Sequence, residues 1–367
     1  MVDVKRRALG AVLLLALAWP VAAQVEKNRA PAAVPTVHWV TPWREGMALR
    51  YATEDHDVSV GEGGRESSRT TSIETLRITE AREDGFVQEW SFADTRYEQL
   101  EGGEGQEAVM QQMMDSLADV RLEVDLDAAG NYAGLRNIDA LAARMRPAMR
   151  EGFLALFAAG VESAGVESAG GEGDEATTAA ARAQALEFVD GMVERMTDPA
   201  ILGVLLSRDV AMFNDAFDAE LEVDTPYEVD VEIDNPIGGG ALPARVSLLV
   251  HLGEPGSDDA VLAWTTHMDR EKAAEIALRA AGTMYGIDVP EEARRQVMED
   301  MSIIDEGRVL FRVSTGVPEV FESTRTVRAA GELRIERRRM RLLDGDHDHA
   351  WSGDGEPVAA KEPARAD

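Results

Sequence analysis

The sequence has no cysteine among its 367 residues, and this absence excludes several classes of protein. A chain without a thiol has no disulfide bonds, is not a lipid-anchored lipoprotein and is not a thiol enzyme. Basic residues are also few: 37 Lys and Arg stand against 68 Asp and Glu, a formal net charge of −31. Nucleic acids and anionic membrane surfaces require clustered Lys and Arg. We therefore expect no nucleic-acid partner.

No catalytic motif is present either. The sequence lacks G-x-S-x-G, the strand-to-helix turn that carries a nucleophilic serine. His251, His267 and Asp269 form a titratable cluster, in which His267 and Asp269 have the residue types of a base and its orienting carboxylate. Asp269 is also a good N-cap for the helix that should follow it. We expect a protein that is not an enzyme and has no cofactor, and a hydrolase is the last of our hypotheses.

The amino terminus has the pattern of an export signal. Lys5, Arg6 and Arg7 precede an apolar run at 8–19, and small residues occupy positions 21–23. This order is typical of a cleaved secretory signal peptide. The run is shorter than the roughly 20 apolar residues that span a bilayer. We predict a signal peptide at 1–23, a periplasmic or secreted bacterial protein, and no transmembrane segment after cleavage.

Strand patterns dominate the rest of the chain. Three stretches within 307–343 alternate apolar and polar side chains, and turns that contain Gly or Pro separate them. Asp84-Gly85 is a strong hairpin signal earlier in the chain. Alternation of this kind is typical of an antiparallel sheet with one solvated face. We predict an α+β fold, with one or more curved, mostly antiparallel sheets and helices packed on one face.

Methionine is frequent in the segments that have helical periodicity. Asn137 can cap one of these helices, and Pro147 inside it predicts a kink or a break. The flexible thioether side chain suits both an ordinary core and an irregular pocket for an apolar ligand. The sequence leaves both interpretations open. The candidate ligand-binding residues are Met110, Met113, Met114, Met145, Met149, Met192 and Met196.

Composition divides the chain into segments. Residues 24–42 predict a flexible tether, with folding beginning near Trp43, and residues 43–343 predict a single α+β domain. Residues 160–178 contain a tandem GVESA repeat whose small and acidic residues favour a surface insertion. The flanking parts, 43–159 and 200–343, each contain a strand with a tryptophan (Trp90 and Trp264), which suggests two loosely similar halves. Residues 344–367 predict a disordered acidic tail.

Two acidic features allow metal binding without requiring it. In residues 220–234 acidic and apolar side chains alternate, which predicts a solvated strand face or a face for cations or a basic protein. The tail has the D-x-D-x-D spacing of a calcium loop but lacks its glycine and final glutamate. The tail either binds Zn²⁺ or Ni²⁺ adventitiously or is simply solvated, and the sequence leaves both interpretations open. The candidate metal ligands are Asp344, Asp346, His347, Asp348 and His349.

Three segments share a further pattern: NPIGGGALPA at 235–244, AWTTHMDREKAAE at 263–275 and STGVPEVFESTRTV at 314–327. Together they resemble a group of secreted bacterial proteins of unknown function, with an NP-x-GG strand end, a WT strand and a TG-x-P turn. LEVDLDAAGNYAGLRNIDAL at 122–141 fits the same plan. The resemblance implies an envelope location and an α+β fold. It implies no catalytic residue.

Three hypotheses for function follow. The first is a non-enzymatic protein that binds an apolar or lipid-like ligand, or an envelope partner. In plan it is similar to the bacterial lipoprotein carriers, which bind acyl chains between a sheet and helices. The second is a structural or interaction protein whose acidic sheet face meets a basic partner or cations. The third is a hydrolase that uses His267 and Asp269.

Overall fold

The computed structural model describes residues 35–102, 107–163, 175–233, 235, 240–285 and 289–343. The predicted signal peptide, the acidic tail with its candidate metal ligands, and residues 164–174 of the GVESA segment lie outside the described residues.

Thirteen strands and six helices make up the described part of the chain. The strands are β1 Thr36–His38, β2 Ala48–Gly61, β3 Gly64–Arg82, β4 Gly85–Glu101, β5 Arg121–Asp127, β6 Tyr132–Leu135, β7 Glu220–Glu222, β8 Tyr227–Ile233, β9 Leu242–Leu252, β10 Asp259–Met268, β11 Ser302–Arg312, β12 Pro318–Ala329 and β13 Glu332–Leu342. The helices are α1 Glu107–Ser116, α2 Ile138–Ser163, α3 Glu175–Met196, α4 Pro199–Phe213, α5 Arg270–Tyr285 and α6 Glu291–Asp300.

Eleven of these strands form one antiparallel sheet in the order β6-β5-β4-β3-β2-β13-β12-β11-β10-β9-β8. Each half of the chain contributes a meander, and the pairing of β2 with β13 joins the two meanders. The predicted α+β fold with a large antiparallel sheet is therefore confirmed. The two halves share a single sheet, a point that the sequence left open.

Local turn chemistry explains two of the hairpins. Arg82 pairs with Gly85, so the predicted β3–β4 hairpin is present, but its two turn residues are Glu83 and Asp84, one position earlier than the predicted Asp84-Gly85. Gly85 is needed because a Cβ there would lie 2.1 Å from the carbonyl oxygen of Leu126 on β5. Between β12 and β13, Ala330 and Gly331 both have positive φ, at 52° and 80°. Two consecutive positive φ values are typical of the type I′ turn that favours a tight hairpin.

The inner face of the sheet, which carries Tyr51, Phe321 and Met340, packs against the helices. Phe213 at the end of α4 lies at the centre of an aromatic cluster, with ring centroids 5.5 Å from Tyr51, 5.3 Å from Trp90 and 5.8 Å from Phe321. A second apolar cluster lies where α5 and α6 pack on the sheet, around Ile276. On β12 the chain passes from the first cluster at Phe321 to the second at Val327, and polar residues lie between them.

The chain becomes ordered earlier than predicted. Thr36–His38 forms β1, which pairs with β7, and Trp39 is only 4% exposed. The Trp39 ring stacks on Phe311 with centroids 4.3 Å apart, and its Nε1 donates to the carbonyl oxygen of Gly316 at 2.8 Å. The prediction of a flexible tether is therefore wrong for residues 36–42. Local composition did not reveal partners that lie far along the chain.

The helix predicted after Asn137 is present as α2, but its predicted cap is wrong. Helix α2 runs from Ile138 to Ser163 with Pro147 inside it, so of the predicted kink or break, the break does not occur. It begins directly after Asn137, but the Asn137 side chain is not used as a helix cap. Instead, its Oδ1 accepts from the Glu123 amide at 3.0 Å and its Nδ2 donates to the Arg121 carbonyl at 2.9 Å. Asn137 therefore attaches the start of α2 to β5.

Candidate functional site

A cavity of about 670 Å³ lies between the inner face of the sheet and helices α1 to α4. Its volume is within the range of about 300 to 1,000 Å³ that is typical of small-molecule sites. Its walls have two distinct parts. The helices and β4 supply mostly apolar side chains, and the inner face of β2, β3 and β11–β13 supplies mostly polar and charged ones.

The apolar wall combines flexible and aromatic side chains from four helices. Its members include Met114 of α1, Met145 and Phe153 of α2, Met192 and Met196 of α3, and Met212 of α4. Unbranched thioether side chains adapt to irregular shapes and make favourable contacts with aromatic rings. This wall can therefore accommodate apolar chains without requiring one fixed shape.

Of the seven methionines that the sequence proposed as ligand-binding residues, four line the cavity and three do not. Met114, Met145, Met192 and Met196 line the cavity. Met113 lies close to Gly152 in the contact between α1 and α2. Met149 is buried in a small cluster with Val189 and Val193. Met110 is partly buried on α1, one turn before Met114, and is not part of the cavity wall.

Opposite the apolar wall lies what we call the charged floor, ten ionisable side chains that border the cavity. Eight are on the sheet and two are on α4. Its members are Asp55, Asp57, Glu74, Arg208, Asp209, Asp305, Arg325, Arg334, Glu336 and Arg338.

The position of these residues follows from strand alternation. Successive side chains of a strand point to opposite faces. Arg338 is two residues from the buried Met340 and therefore shares its face, and Asp55 stands in the same relation to Thr53. Arg337 also borders the cavity, but it belongs to the opposite face of β13 and is exposed.

Arg338 is the most highly connected residue of the charged floor. Its Nη2 donates to both carboxylate oxygens of Glu74, at 2.6 and 2.7 Å. Its Nη1 donates to both oxygens of Asp55, at 3.1 Å each. Asp209 of α4 lies 3.7 Å away. One guanidinium therefore connects β13 to β2, β3 and α4.

The other three guanidiniums are engaged in the same way. Arg325 forms two parallel hydrogen bonds with Asp305, at 2.7 and 2.9 Å. Arg208 of α4 donates to Asp209 and to Glu336. Arg334 lies 3.3 Å from Asp57 and 3.2 Å from Glu336.

The pKa values of the floor carboxylates are shifted in different directions. Desolvation raises the pKa of Asp55 to about 6, even though Arg338 opposes the shift. Desolvation also raises the pKa of Asp57. Burial would likewise raise the pKa of Asp209 and Glu336, but the combined attraction of Arg208 and the other arginines of the floor outweighs it and holds both pKa values below their ordinary values. Asp55 and Asp57 are therefore the least well compensated carboxylates of the charged floor.

Two polar atoms on the inner face lack a hydrogen-bond partner among the described residues. They are Nε of Arg338 and Oγ1 of Thr53, which is 4% exposed. A buried donor or acceptor without a partner costs free energy. Of these two residues Arg338 borders the cavity and Thr53 does not, so Nε of Arg338 is the one hydrogen-bond donor of this pair beside the cavity that the described structure leaves unused.

The other candidate residues do not assemble into a site. Asp269 Oδ1 accepts from the amide of Lys272 at 2.8 Å, which confirms its role as the N-cap of α5. His267 is exposed, and His251 is hydrogen-bonded to Asp224 at 2.5 Å. On β8 the acidic residues Glu228, Asp230 and Glu232 are exposed, and Asp230 pairs with Arg245. Throughout the ranges that the structure describes, no three His, Asp or Glu side chains are placed to hold a metal ion.

Sequence reasoning missed the charged floor. The available signal was the phase of the charged residues, because Arg334, Glu336 and Arg338 alternate in step with Met340. Charged side chains in the inward phase of a strand are unusual, since Asp, Glu and Arg are rarely buried unless they are paired.

The chain matches no protein-family model and no curated protein. Among solved structures it is similar to lipovitellin, in a structure described for its lipid–protein interactions, with a TM-score of 0.40 and 8% identity. The alignment covers 82% of this chain but 25% of the lipovitellin chain, so the chain spans about a quarter of that protein's length. None of the helices in the described ranges has the length and apolar character needed to cross a membrane.

Proposed function

We propose that the protein is a non-enzymatic, exported envelope protein that binds an apolar or lipid-like ligand in the cavity between its sheet and helices. The observation that carries the proposal is the cavity itself, whose helical wall is built from methionine and phenylalanine side chains. Export is supported by the signal-like sequence of residues 1–23.

The composition of the helical wall favours a ligand over an ordinary core. A tightly packed interior leaves few voids larger than a water molecule. Here about 670 Å³ stays open beside at least six large apolar side chains. An apolar ligand would remove their surface from water, which contributes about 25 cal/mol for each Å² buried.

Native mass spectrometry of the purified protein is the first test. We expect adducts with the mass of a lipid or another apolar molecule, and we expect their loss after organic extraction. A delipidated protein should then bind an environment-sensitive apolar dye, which an added fatty alcohol should displace.

A pair of variants on α1 tests where the ligand binds. Met114→Glu should weaken dye binding about tenfold or more, because an ionised carboxylate on an apolar wall is poorly solvated. Met110→Glu is the matched control, since Met110 is also partly buried, lies one turn away and does not line the cavity. Equal affinities in the two variants, with unchanged circular dichroism, would contradict binding in this cavity.

A further inference from the structure

The charged floor contains more carboxylates than guanidiniums, and this excess of negative charge favours some polar groups of a ligand over others. Six carboxylates border the cavity, from Asp55, Asp57, Glu74, Asp209, Asp305 and Glu336. Four guanidiniums of the floor face them, from Arg208, Arg325, Arg334 and Arg338. With every group ionised, the floor has an excess of two negative charges, or of one if Arg337, which borders the cavity from the opposite face of β13, is also counted.

Each of the four guanidiniums is already engaged by at least one carboxylate. Arg338 is shared by Asp55 and Glu74, Arg325 is held by both oxygens of Asp305, and Arg208 and Arg334 each contact two acidic side chains. A carboxylate or phosphate of a ligand would have to compete with these carboxylates for the guanidiniums. Where the pair is buried, as for Arg325 and Asp305, breaking it would leave an uncompensated charge, which is strongly unfavourable.

Asp55 and Asp57 are the floor carboxylates most accessible from the cavity. Their side chains are 33% and 46% exposed, whereas that of Glu74 is 2% exposed. The side chain of Asp57 accepts a single hydrogen bond in the described structure, from Arg334 at 3.3 Å. The second carboxylate oxygen of Asp57 and the remaining lone pairs of the two Asp55 oxygens can therefore accept hydrogen bonds from a ligand.

We infer that the ligand is an amphiphile with a cationic end, an apolar chain that carries an amine. Its chain lies along the methionines of α1 to α3, and its ammonium group binds to Asp55 and Asp57. An ammonium group supplies three hydrogen-bond donors and one positive charge, which reduces the charge excess of the floor. This inference rests on the proposed function, because it assigns a ligand class to the same cavity.

Without a ligand, the protein can reduce the excess negative charge of the floor by binding a proton. Asp55 is faced by Arg338 from β13, Glu74 from β3 and Asp209 from α4, and burial raises its pKa to about 6. Protonation of Asp55 removes one negative charge. An amine and a proton therefore compete for the same carboxylate, and amine affinity should decrease as the pH falls below 6.

Binding of three ligands with one chain length tests the inference. Dodecylamine, dodecanol and dodecanoate are compared by dye displacement from the full-length protein, at pH 7.5, in 0.15 M salt and below their micelle concentrations. We expect dodecylamine to bind at least tenfold more tightly than dodecanol, and dodecanoate to bind more weakly than dodecanol. At pH 5 the preference for amine over alcohol should shrink about tenfold, since the ionised fraction of a group with a pKa near 6 falls by that factor.

Two asparagine variants distinguish amine binding in the cavity from general electrostatic attraction to an acidic protein. Asp57→Asn keeps the size of the side chain and should remove most of the preference for the amine while leaving dodecanol affinity unchanged. Asp230→Asn is the control, since Asp230 lies on the opposite face of the sheet and its loss changes the net charge equally. It should leave the preference intact.

The outcomes distinguish the inference from the proposed function. Equal binding of amine and alcohol, or tightest binding of dodecanoate, would overturn the cationic ligand and leave an apolar cavity. The same preference in Asp57→Asn and wild type would overturn the role of the floor. If none of the three ligands displaces the dye and no dye binds, the proposed function itself fails.

Discussion

At the scale of single residues, Gly307 shows how a missing side chain can be a packing requirement. Gly307 on β11 pairs directly with Trp264 on β10. A Cβ at position 307 would lie 2.1 Å from Cζ2 of Trp264, so the indole ring occupies the space that a side chain would need. The ring also reaches Phe321, with centroids 5.9 Å apart. The glycine therefore allows an aromatic side chain to lie across the neighbouring strand.

We predict that Gly307→Ala lowers the free energy of unfolding by about 2 kcal/mol, because overpacking forces the indole ring out of its place. Gly134→Ala is the control in another strand: nothing lies within 4 Å of the added Cβ, and the change should stay within about 0.5 kcal/mol. Urea denaturation followed by tryptophan fluorescence measures both. Equal stabilities would show that the ring adapts without cost.

At the scale of an element, β13 carries two different kinds of arginine on its two faces. Arg338 faces inward and is bonded to Asp55 and Glu74. Arg339 is the next residue, faces outward, is 46% exposed and pairs with Glu322. The strand therefore places one arginine in a desolvated network and its neighbour in solvent.

This difference predicts unequal effects of the same substitution. Arg338→Met should lower the free energy of unfolding by about 3–5 kcal/mol, because it leaves the buried Glu74 and the partly buried Asp55 without their partner. Arg339→Met should cost at most about 1 kcal/mol, as for other exposed ion pairs. Chemical denaturation at pH 7 gives both values. A loss of similar size in the two variants would contradict the burial of the floor.

At the scale of the whole molecule, the floor makes stability depend on pH. The folded state binds a proton at Asp55 below about pH 6. The unfolded state ionises the same group down to its ordinary pKa of about 3.9. Between these values the folded state holds more protons, so the contribution of Asp55 to the free energy of unfolding increases as the pH falls. Asp209 and Glu336 act in the opposite direction, because their pKa values are lowered on folding.

Comparison with Asp55→Asn isolates the contribution of Asp55. We expect the wild type to gain stability relative to this variant as the pH falls from 7 to 4.5. The denaturation midpoints of both proteins across this range measure the difference. A difference that stays constant, or that changes in the opposite direction, would show that burial does not raise the pKa of Asp55.

The sequence predicted those features that depend on neighbouring residues. The β3–β4 hairpin, the three strands at the C-terminal end of the sheet and the N-cap at Asp269 were predicted from turn chemistry and alternation, and all three are confirmed. The burial of Trp39 and the use of Asn137 to hold β5 were not predicted. Both depend on partners from other elements, which local patterns do not contain.

The α+β class and the succession of strands and helices were thus determined by the sequence itself, because hydrophobic period and turn residues act over a few positions. Only the tertiary structure decided that both meanders join in one sheet, that four of seven candidate methionines share a cavity, and that this cavity has a charged floor. Asp55 and Arg338 are 283 residues apart and meet because β2 pairs with β13. The physical reason is that the burial, charge environment and pKa of the floor residues depend on the assembled face, where five strands and a helix bring their side chains together.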